Sequence, residues 1–192
     1  MALVTHRIAL LIDGANLQAT ARALGFAIDY KRLLLQFGGR GISLKALFFA
    51  AVLDGPEFAT AQPLIDWLGY NGYTVVTKNG RQFFDANRNC KIKANMQIEL
   101  AVRAMELAPH TDELVLFSGD GDFRPLVEAV QRRGVRVTIV SSNSSEPSMV
   151  ANELRRQADV FIDLKDLRPM VERDSTSASF SAGSAATSRT QR

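Results

Sequence analysis

Three aspartates stand at or just beyond the ends of short apolar runs. Asp13 directly follows the run IALLI at residues 8–12, and Asp120 and Asp122 lie in the sequence SGDGD that follows the run ELVLF at residues 113–117. Carboxylates that lie close together repel one another unless a cation or a proton intervenes. Because hard oxygen ligands suit Mg²⁺ or Mn²⁺, the pattern predicts an acidic, metal-binding site.

The elements that must position these acids alternate between apolar runs and helical patterns. Strands are predicted at residues 8–12, 43–52, 73–77, 113–117 and 135–140, with a short edge strand at 160–162. Helices are predicted from Asn16, over 28–37 with Asp29 as N-cap, and over 57–68, 94–108, 122–133 and 147–157. This alternation implies βαβ crossovers and a doubly wound α/β domain, with a mostly parallel sheet of five or six strands. The segment 78–93 shows no clear period.

Open parallel sheets bind ligands beyond the carboxyl ends of their strands, where the strand order reverses. If the strands before Asp13 and Asp120 are neighbours at that point, both carboxylates project into one crevice, and Asp122 joins them from the next helical turn. Each residue also has a structural interpretation, since Asp13 could simply form a turn or cap a helix, and Asp122 could cap the helix that begins at Phe123.

Packing predictions follow from the apolar positions. The helix at 94–108 carries an apolar stripe at one helical spacing, formed by Ile98, Ala101, Val102 and Met105. The large side chains predicted to lie in the core are Phe48, Phe49, Trp67, Phe117 and Phe123.

Composition bounds the class of protein. The 192 residues carry a net charge of +3, a mild basic bias that permits an anionic partner without demonstrating one. A single cysteine and two histidines exclude a disulfide framework and the usual zinc constellations. The longest near-apolar run, 44–53, is far short of the roughly 20 residues of a membrane span, so we expect a soluble, cytoplasmic protein with no membrane partner.

The last residues differ in composition from the rest of the chain. They are dominated by Ser, Ala and Thr, with Phe180 as the only large apolar side chain after residue 173. Such a segment buries too little surface to offset the entropy lost on ordering. We therefore predict one domain at residues 1–172 and a disordered tail at 173–192.

Three motifs together resemble a known family. LIDGANL at 11–17, KANMQIELAV at 93–102 and SGDGDF at 118–123, the last followed by PLV at 125–127, resemble a NYN domain of the LabA-like group, relatives of the PIN-domain nucleases. The resemblance spans about residues 7–168. It implies a three-layer, PIN-like (Rossmann-like) fold with strand order 3-2-1-4-5 and a metal-dependent ribonuclease site at the carboxyl edge of the sheet.

The resemblance assigns roles residue by residue. Asp13 matches the first metal-binding acid, Asn16 the polar residue that supports it, and Asp120 and Asp122 the acidic pair. Ser118 matches the serine that forms hydrogen bonds around the site. We therefore expect Asp13, Asp120 and Asp122 to hold Mg²⁺ or Mn²⁺, which would activate a water for hydrolysis of an RNA phosphodiester.

Two positions depart from the family pattern, because Gln97 and Arg103 stand where related sequences usually carry acids. Gln97 can offer a neutral carbonyl oxygen to a metal or its water, but it adds no charge and cannot act as a base. The alternative hypothesis is therefore a weakened or inactive RNA-binding or regulatory module on the same fold. A third hypothesis, a nucleotide-binding or phosphotransfer domain, ranks lower because the GxGxxG and GxxxxGK[ST] spacings are absent.

Basic residues near the same edge could hold the RNA. Lys78, Arg81, Lys91 and Lys93 lie between the third predicted strand and the following helix, interleaved with Phe83 and Phe84. Cations beside carboxylates suit a phosphate backbone, and aromatic rings can stack on unpaired bases. A solvated loop with a small satellite core fits the same segment equally well. A homodimer is a further expectation, since domains of this fold class often dimerise.

Overall fold

The computed structural model describes residues 6–39, 43–53, 56–84, 90–93 and 96–174. The strands are β1 (Arg7–Asp13), β2 (Ser43–Leu53), β3 (Tyr73–Phe84), β4 (Cys90–Lys93), β5 (Glu113–Phe117), β6 (Arg136–Ser141) and β7 (Val160–Asp163). The α-helices are α1 (Gly14–Ala23), α2 (Tyr30–Gly38), α3 (Pro56–Tyr70), α4 (Gln97–Leu107), α5 (Arg124–Gln131), α6 (Asn152–Gln157) and α7 (Leu164–Val171). No helix in these ranges is long and apolar enough to cross a membrane.

The strands form one sheet in the order β4-β3-β2-β1-β5-β6-β7. Six of them run parallel, and β4 pairs antiparallel with the end of β3. Without β4, which the sequence did not predict, the order reads 3-2-1-4-5-6 along the chain. The predicted α/β fold class and the order 3-2-1-4-5 are therefore confirmed, and the short edge strand at 160–162 is the sixth parallel strand.

Helices cover both faces of the sheet, which explains the continuous apolar runs of its central strands. In β1, Ile8, Leu10 and Ile12 pack into the core on the side of α1, α2 and α7. Ala9 and Leu11 pack into the core on the side of α4, α5 and α6. A strand buried on both faces has no polar alternation to preserve.

Helix starts follow the predicted capping chemistry. The Asp29 side chain accepts hydrogen bonds from the backbone N–H groups of Lys31 and Arg32, at 2.9 and 3.0 Å, and so caps α2 as predicted. Asp163 caps α7, a helix that the sequence did not predict, by accepting from the N–H of Lys165 at 3.0 Å. These caps satisfy backbone donors that the first turn of a helix leaves unpaired.

The segment without a clear period is a β-hairpin. Strand β3 continues to Phe84, well past the predicted end at residue 77, and turns back through β4. Alternation failed as a signal because the hairpin mixes apolar, polar and basic residues on both of its strands. The predicted helix at 147–157 is also shorter, because only Asn152–Gln157 is helical and residues 142–151 form a loop after β6.

Two packing predictions are wrong. Ile98 and Val102 on α4 are 68% and 51% exposed, whereas Leu100 and Ala104 are buried in the core, with Met105 of the predicted stripe packed against the edge of that core. Trp67 is 37% exposed on α3, whereas the other predicted core aromatics are buried: Phe48, Phe49, Phe117 and Phe123. Helical spacing identifies an apolar face without saying which of two apolar faces the sheet covers.

The C-terminal end of the described chain returns to the domain. The N–H of Arg173 donates to the carbonyl of Ala27 at 2.9 Å, and Asp174 forms an ion pair with Arg32. The predicted disordered tail falls almost wholly on residues 175–192, which lie outside the described residues.

Candidate functional site

The centre of the sheet brings the predicted acids to one edge. Strands β1 and β5 are neighbours and run parallel, with Ile12 paired with Phe117 at their carboxyl ends. After β1 the chain builds the sheet outward on one side, through β2 and β3, and later on the other side, from β5 onward. The strand order therefore reverses between β1 and β5. Asp13 and Ser118, the next residues along the two strands, therefore start the two loops that flank this crevice.

Hydrogen bonds tie these two loops together. The Ser118 hydroxyl donates to Asp13 Oδ2 at 3.4 Å and accepts from the N–H of Asp120 at 3.3 Å. Asn16 Oδ1 accepts from the N–H of Gly119 at 3.1 Å, across the same gap. Asn16 and fully buried Ser118 thus join the two loops that carry the acids.

Both aspartates that end the strands also cap helical turns. Asp13 Oδ1 accepts from the N–H of Asn16 at 3.2 Å at the start of α1. Asp120 Oδ1 accepts from the N–H of Asp122 at 3.0 Å and caps a 3₁₀ turn at Gly121–Phe123. The cap proposed at Asp122 is therefore two residues earlier, at Asp120. Asp13 both caps α1 and lies at the site.

Gln97 lies between the two acids of the SGDGD loop. It occupies the first position of α4, and its Nε2 donates a short hydrogen bond to Asp120 Oδ2 and lies 3.4 Å from Asp122 Oδ2. The amide therefore offers a neutral donor to both carboxylates. Arg103, the other departure from the family pattern, pairs instead with Glu106 on the exposed side of α4. Of the two departures, only Gln97 contacts the predicted acids.

Close packing fixes the loop that carries Asp120. A Cβ on Gly119 would lie 1.7 Å from the carbonyl oxygen of Met149, so only glycine fits at this position. The N–H of Ala151 donates to the Gly119 carbonyl at 2.9 Å. A Cβ on Gly121 would lie 2.7 Å from Glu153 Oε1, which places a fourth carboxylate against the same loop. Sequence reasoning missed Glu153, because an acid in the first turn of a helix is most simply explained by the helix dipole.

Burial makes Asp13 an unfavourable place for a negative charge. Removal of the carboxylate from water raises its pKa above the ordinary value, and the neighbouring charge of Asp120 raises it further. Hydrogen bonds from the Asn16 backbone and the Ser118 hydroxyl oppose this rise. Among the described residues, no lysine or arginine forms an ion pair with Asp13, Asp120 or Asp122, so the site has excess negative charge.

The donor set suits a hard cation, although the acids do not already form a cage. Among the described residues, no group of three His, Cys, Asp or Glu side chains lies close enough together to hold one metal ion. The site offers carboxylate, hydroxyl and amide oxygens, which Mg²⁺ and Mn²⁺ prefer. A buried carboxylate with a raised pKa beside a second carboxylate also gains from a cation. The residues present therefore fit such an ion, which would replace the Gln97 amide as the group facing Asp120.

Basic residues approach the site from the hairpin. Lys78 Nζ lies 2.6 Å from Glu99 Oε1, which links β3 to the first turn of α4, two residues after Gln97. In the ribbon of β3 and β4, Arg81 pairs with Lys93 and Phe83 pairs with Lys91. The backbone register therefore brings these basic positions together in one short hairpin that follows directly from the strand carrying Lys78.

Fold and site together define an α/β domain of the Rossmann-like type with acids at its switch point. The sequence profile of the NYN domain matches residues 7–165. The chain is 34% identical over 176 residues to the low amplitude and bright protein LabA of Synechococcus elongatus, a match that covers 90% of this chain and 91% of that protein. A protein of unknown function from Vibrio parahaemolyticus has a similar structure, with a TM-score of 0.72 and 26% identity over 89% of this chain and 99% of that one. The chain belongs to the NYN domain family.

The raised pKa of Asp13 predicts that Asp13→Asn stabilises the protein at neutral pH. Because the folded-state pKa is raised, the protonated carboxyl favours the folded state. Its full contribution to the free energy of unfolding is present below the unfolded pKa of about 3.9 and is lost as pH rises through the folded-state pKa. With EDTA present, the variant should melt at a higher temperature than the wild type at pH 7. The difference is on the order of 2–4 °C for each kcal/mol by which the substitution raises the free energy of unfolding. This difference should shrink toward pH 4.

Asp112→Asn is the matched control with the opposite sign. Arg7 lowers the pKa of Asp112 to about 2, so this carboxylate stabilises the fold above its unfolded pKa. Its replacement should leave melting at pH 7 unchanged or slightly lower, because the pair is on the surface. An Asp13→Asn variant that melts below the wild type at pH 7 would contradict the account of Asp13.

Proposed function

We propose that the chain is a divalent-metal-dependent ribonuclease that hydrolyses RNA phosphodiesters at the carboxyl edge of its sheet. The observation that carries this proposal is the hydrogen-bonded network that joins the two loops, in which Ser118 contacts both Asp13 and the backbone of Asp120. Membership of a family related to the PIN nucleases supports the reaction class. The excess negative charge of this network supports a cation at the site.

Each side chain has a distinct task in this mechanism. Asp13 and Asp120 would hold Mg²⁺ or Mn²⁺, which when bound supplies positive charge that acidifies a water and stabilises the phosphoryl oxygens. Asp122 is exposed, so its carboxylate can accept a hydrogen bond from the attacking water and orient it. Asn16 and Ser118 keep the two loops at a fixed spacing, which limits the reorganisation needed during the reaction.

The β3–β4 hairpin, with the basic residues Lys78, Arg81, Lys91 and Lys93, supplies a place for the rest of the RNA. Phosphates repel the acids at the site, and cations a short distance along the chain offset this repulsion. Arg81, Lys91 and Lys93 would bind the backbone, and Phe83 would stack on an unpaired base. Lys78 would exchange its ion pair with Glu99 for a phosphate, at little cost because the pair is on the surface.

A second function is favoured by one specific contact. The Gln97 amide donates to Asp120 and approaches Asp122, so it can satisfy the acids without a cation. A chain that keeps this contact would bind RNA without cleaving it. This alternative is an RNA-binding or regulatory module on a nuclease fold, and turnover separates it from the first proposal.

Cleavage of single-stranded and structured RNAs in Mn²⁺, Mg²⁺ or EDTA separates the two functions. A ribonuclease should cleave only with metal, and Asp120→Asn should reduce the rate at least about a hundredfold, because the cation loses a charged ligand. Asp166→Asn, an exposed acid on α7, is the matched control and should cleave like the wild type.

If the wild type does not cleave RNA, the Gln97→Asp variant distinguishes the two proposed functions. If only this variant cleaves, the natural protein is a binding module and Gln97 is the reason. Metal-independent cleavage, or cleavage unaffected by Asp120→Asn, would contradict the proposed mechanism.

The positive charge of the β3–β4 hairpin predicts that RNA binding depends on the salt concentration. Lys91→Ala combined with Lys93→Ala should weaken RNA binding and flatten its dependence on salt, by about two units of the log–log slope, because two counterion-releasing contacts are lost. Arg132→Ala with Arg133→Ala removes the same charge from exposed residues after α5 and is the control. Fluorescence anisotropy at several salt concentrations measures both. Unchanged affinity at low and high salt would exclude the two lysines from the interface.

A further inference from the structure

Helix α4 presents an apolar stripe to solvent. Ile98 is 68% exposed and Val102 is 51% exposed, although both are large aliphatic side chains. Met105, one turn further on, is half-buried. At about 100° per residue these three positions follow one line along the helix. Ile98 and Val102 lie on the side away from Leu100 and Ala104, whereas Met105, at the end of the line, is half-buried against the core that those two residues join. A continuous apolar line of this kind on a surface is typical of a contact site.

The charges beside this stripe alternate in sign along the helix. At the start of α4, Glu99 forms an ion pair with Lys78 at 2.6 Å, and near its end Arg103 pairs with Glu106 at 2.9 Å. All four groups lie on the same flank of the stripe, because Glu99, Arg103 and Glu106 fall within about 60° of one another around the helix. Each end of this flank therefore carries one cation and one anion.

We propose that α4 is the interface of a homodimer, in which it packs antiparallel against α4 of a second copy of this chain. A two-fold axis perpendicular to the helix and lying in the interface keeps each flank on its own side and exchanges the helix ends. Val102 then lies near the axis, and Ile98 lies against the partner's Met105. The same operation brings Arg103 beside the partner's Glu99, so that a cation and an anion face each other at each end of the contact.

Self-complementarity is the reason to choose a second copy as the occupant. An isologous contact needs one surface that matches itself after rotation, with apolar groups at the centre and opposite charges exchanged at the ends. The stripe and its flank meet both conditions. RNA, by contrast, is a polyanion for which the aliphatic stripe has no binding group, and each cation on the flank is paired with a carboxylate.

The size of the surface sets the strength of the dimer. Helix α4 has 11 residues and so is about 16 Å long. A contact of that length buries less than the roughly 800 Å² per partner of a standard interface. We therefore expect a reversible dimer with a dissociation constant on the order of 1–100 μM, which forms and dissociates within an accessible range of protein concentration.

Sedimentation velocity over a concentration series tests the interface. The wild type should shift from monomer to dimer, and Val102→Glu should weaken dimerisation at least about tenfold, because it places two like charges at the axis. Leu35→Glu is the matched control: Leu35 is 67% exposed on α2, which packs on the other face of the sheet, and its variant should dimerise like the wild type. A wild type that stays monomeric to about 1 mM, or a dimer that Val102→Glu leaves intact, would overturn the proposal.

Cross-linking provides a second test that does not depend on the stability of the glutamate variant. In a Cys90→Ser background, Val102→Cys should form a disulfide-linked dimer on mild oxidation, because the two thiols meet at the axis. Leu35→Cys in the same background should remain monomeric. Equal cross-linking of both variants, or cross-linking of Leu35→Cys alone, would contradict an interface at α4.

Discussion

Burial of the Asp13 carboxylate beside a second acid, at the carboxyl edge of the sheet, is the constraint to which the rest of the site responds. Removal from water raises the pKa of Asp13, and the pairing of β1 with β5 holds Asp120 close enough for its charge to raise that pKa further. Backbone N–H groups and the Ser118 hydroxyl reduce this cost, and the Gln97 amide reduces it further. Buried acids that weaken a fold in this way are retained where they bind or catalyse, since activity and stability compete at such sites.

The sequence predicted the part of the molecule that follows from burial and capping. β1 and β5 are continuous apolar runs because helices cover both faces of the sheet, and Asp29 caps α2 because its carboxylate accepts from backbone N–H groups that the first turn leaves unpaired. The loop sequence SGDGD was recognisable from its family resemblance and its position after an apolar run, and the close approach of the Met149 carbonyl explains why Gly119 must be a glycine.

Long-range contacts account for what the sequence did not predict. The β3–β4 hairpin lacks alternation, so only the partner strand reveals it. The hydrogen bond from Gln97 to Asp120 joins residues 23 apart in sequence, and no local pattern specifies it. Ile98 and Val102 follow the same helical period as a buried face, and exposure became evident only when Leu100 and Ala104 were found against the sheet. The hairpin, this hydrogen bond and the exposed face of α4 all depend on contacts between residues that are distant in sequence.

Gln97 gives this member of the NYN family an unusual balance at its site. An acid at the start of α4 would add a further negative charge beside Asp120 and increase the affinity for a cation. The amide instead donates to the carboxylates, so a cation must compete with a hydrogen bond that is already formed. The same three aspartates can therefore serve a weak metal-dependent enzyme or a metal-free binding module, depending on which partner prevails.

Direct measurement of Mn²⁺ binding to metal-free protein tests this account most directly. Electron paramagnetic resonance reports free Mn²⁺, so titrations of the wild type and of Asp120→Asn give the affinity without reference to any RNA. The account predicts that the wild type binds Mn²⁺ and that Asp120→Asn weakens binding at least about tenfold, since the ion loses a charged ligand. Equal affinity in the two proteins, or no binding to the wild type at millimolar Mn²⁺, would contradict a metal site at the carboxyl edge.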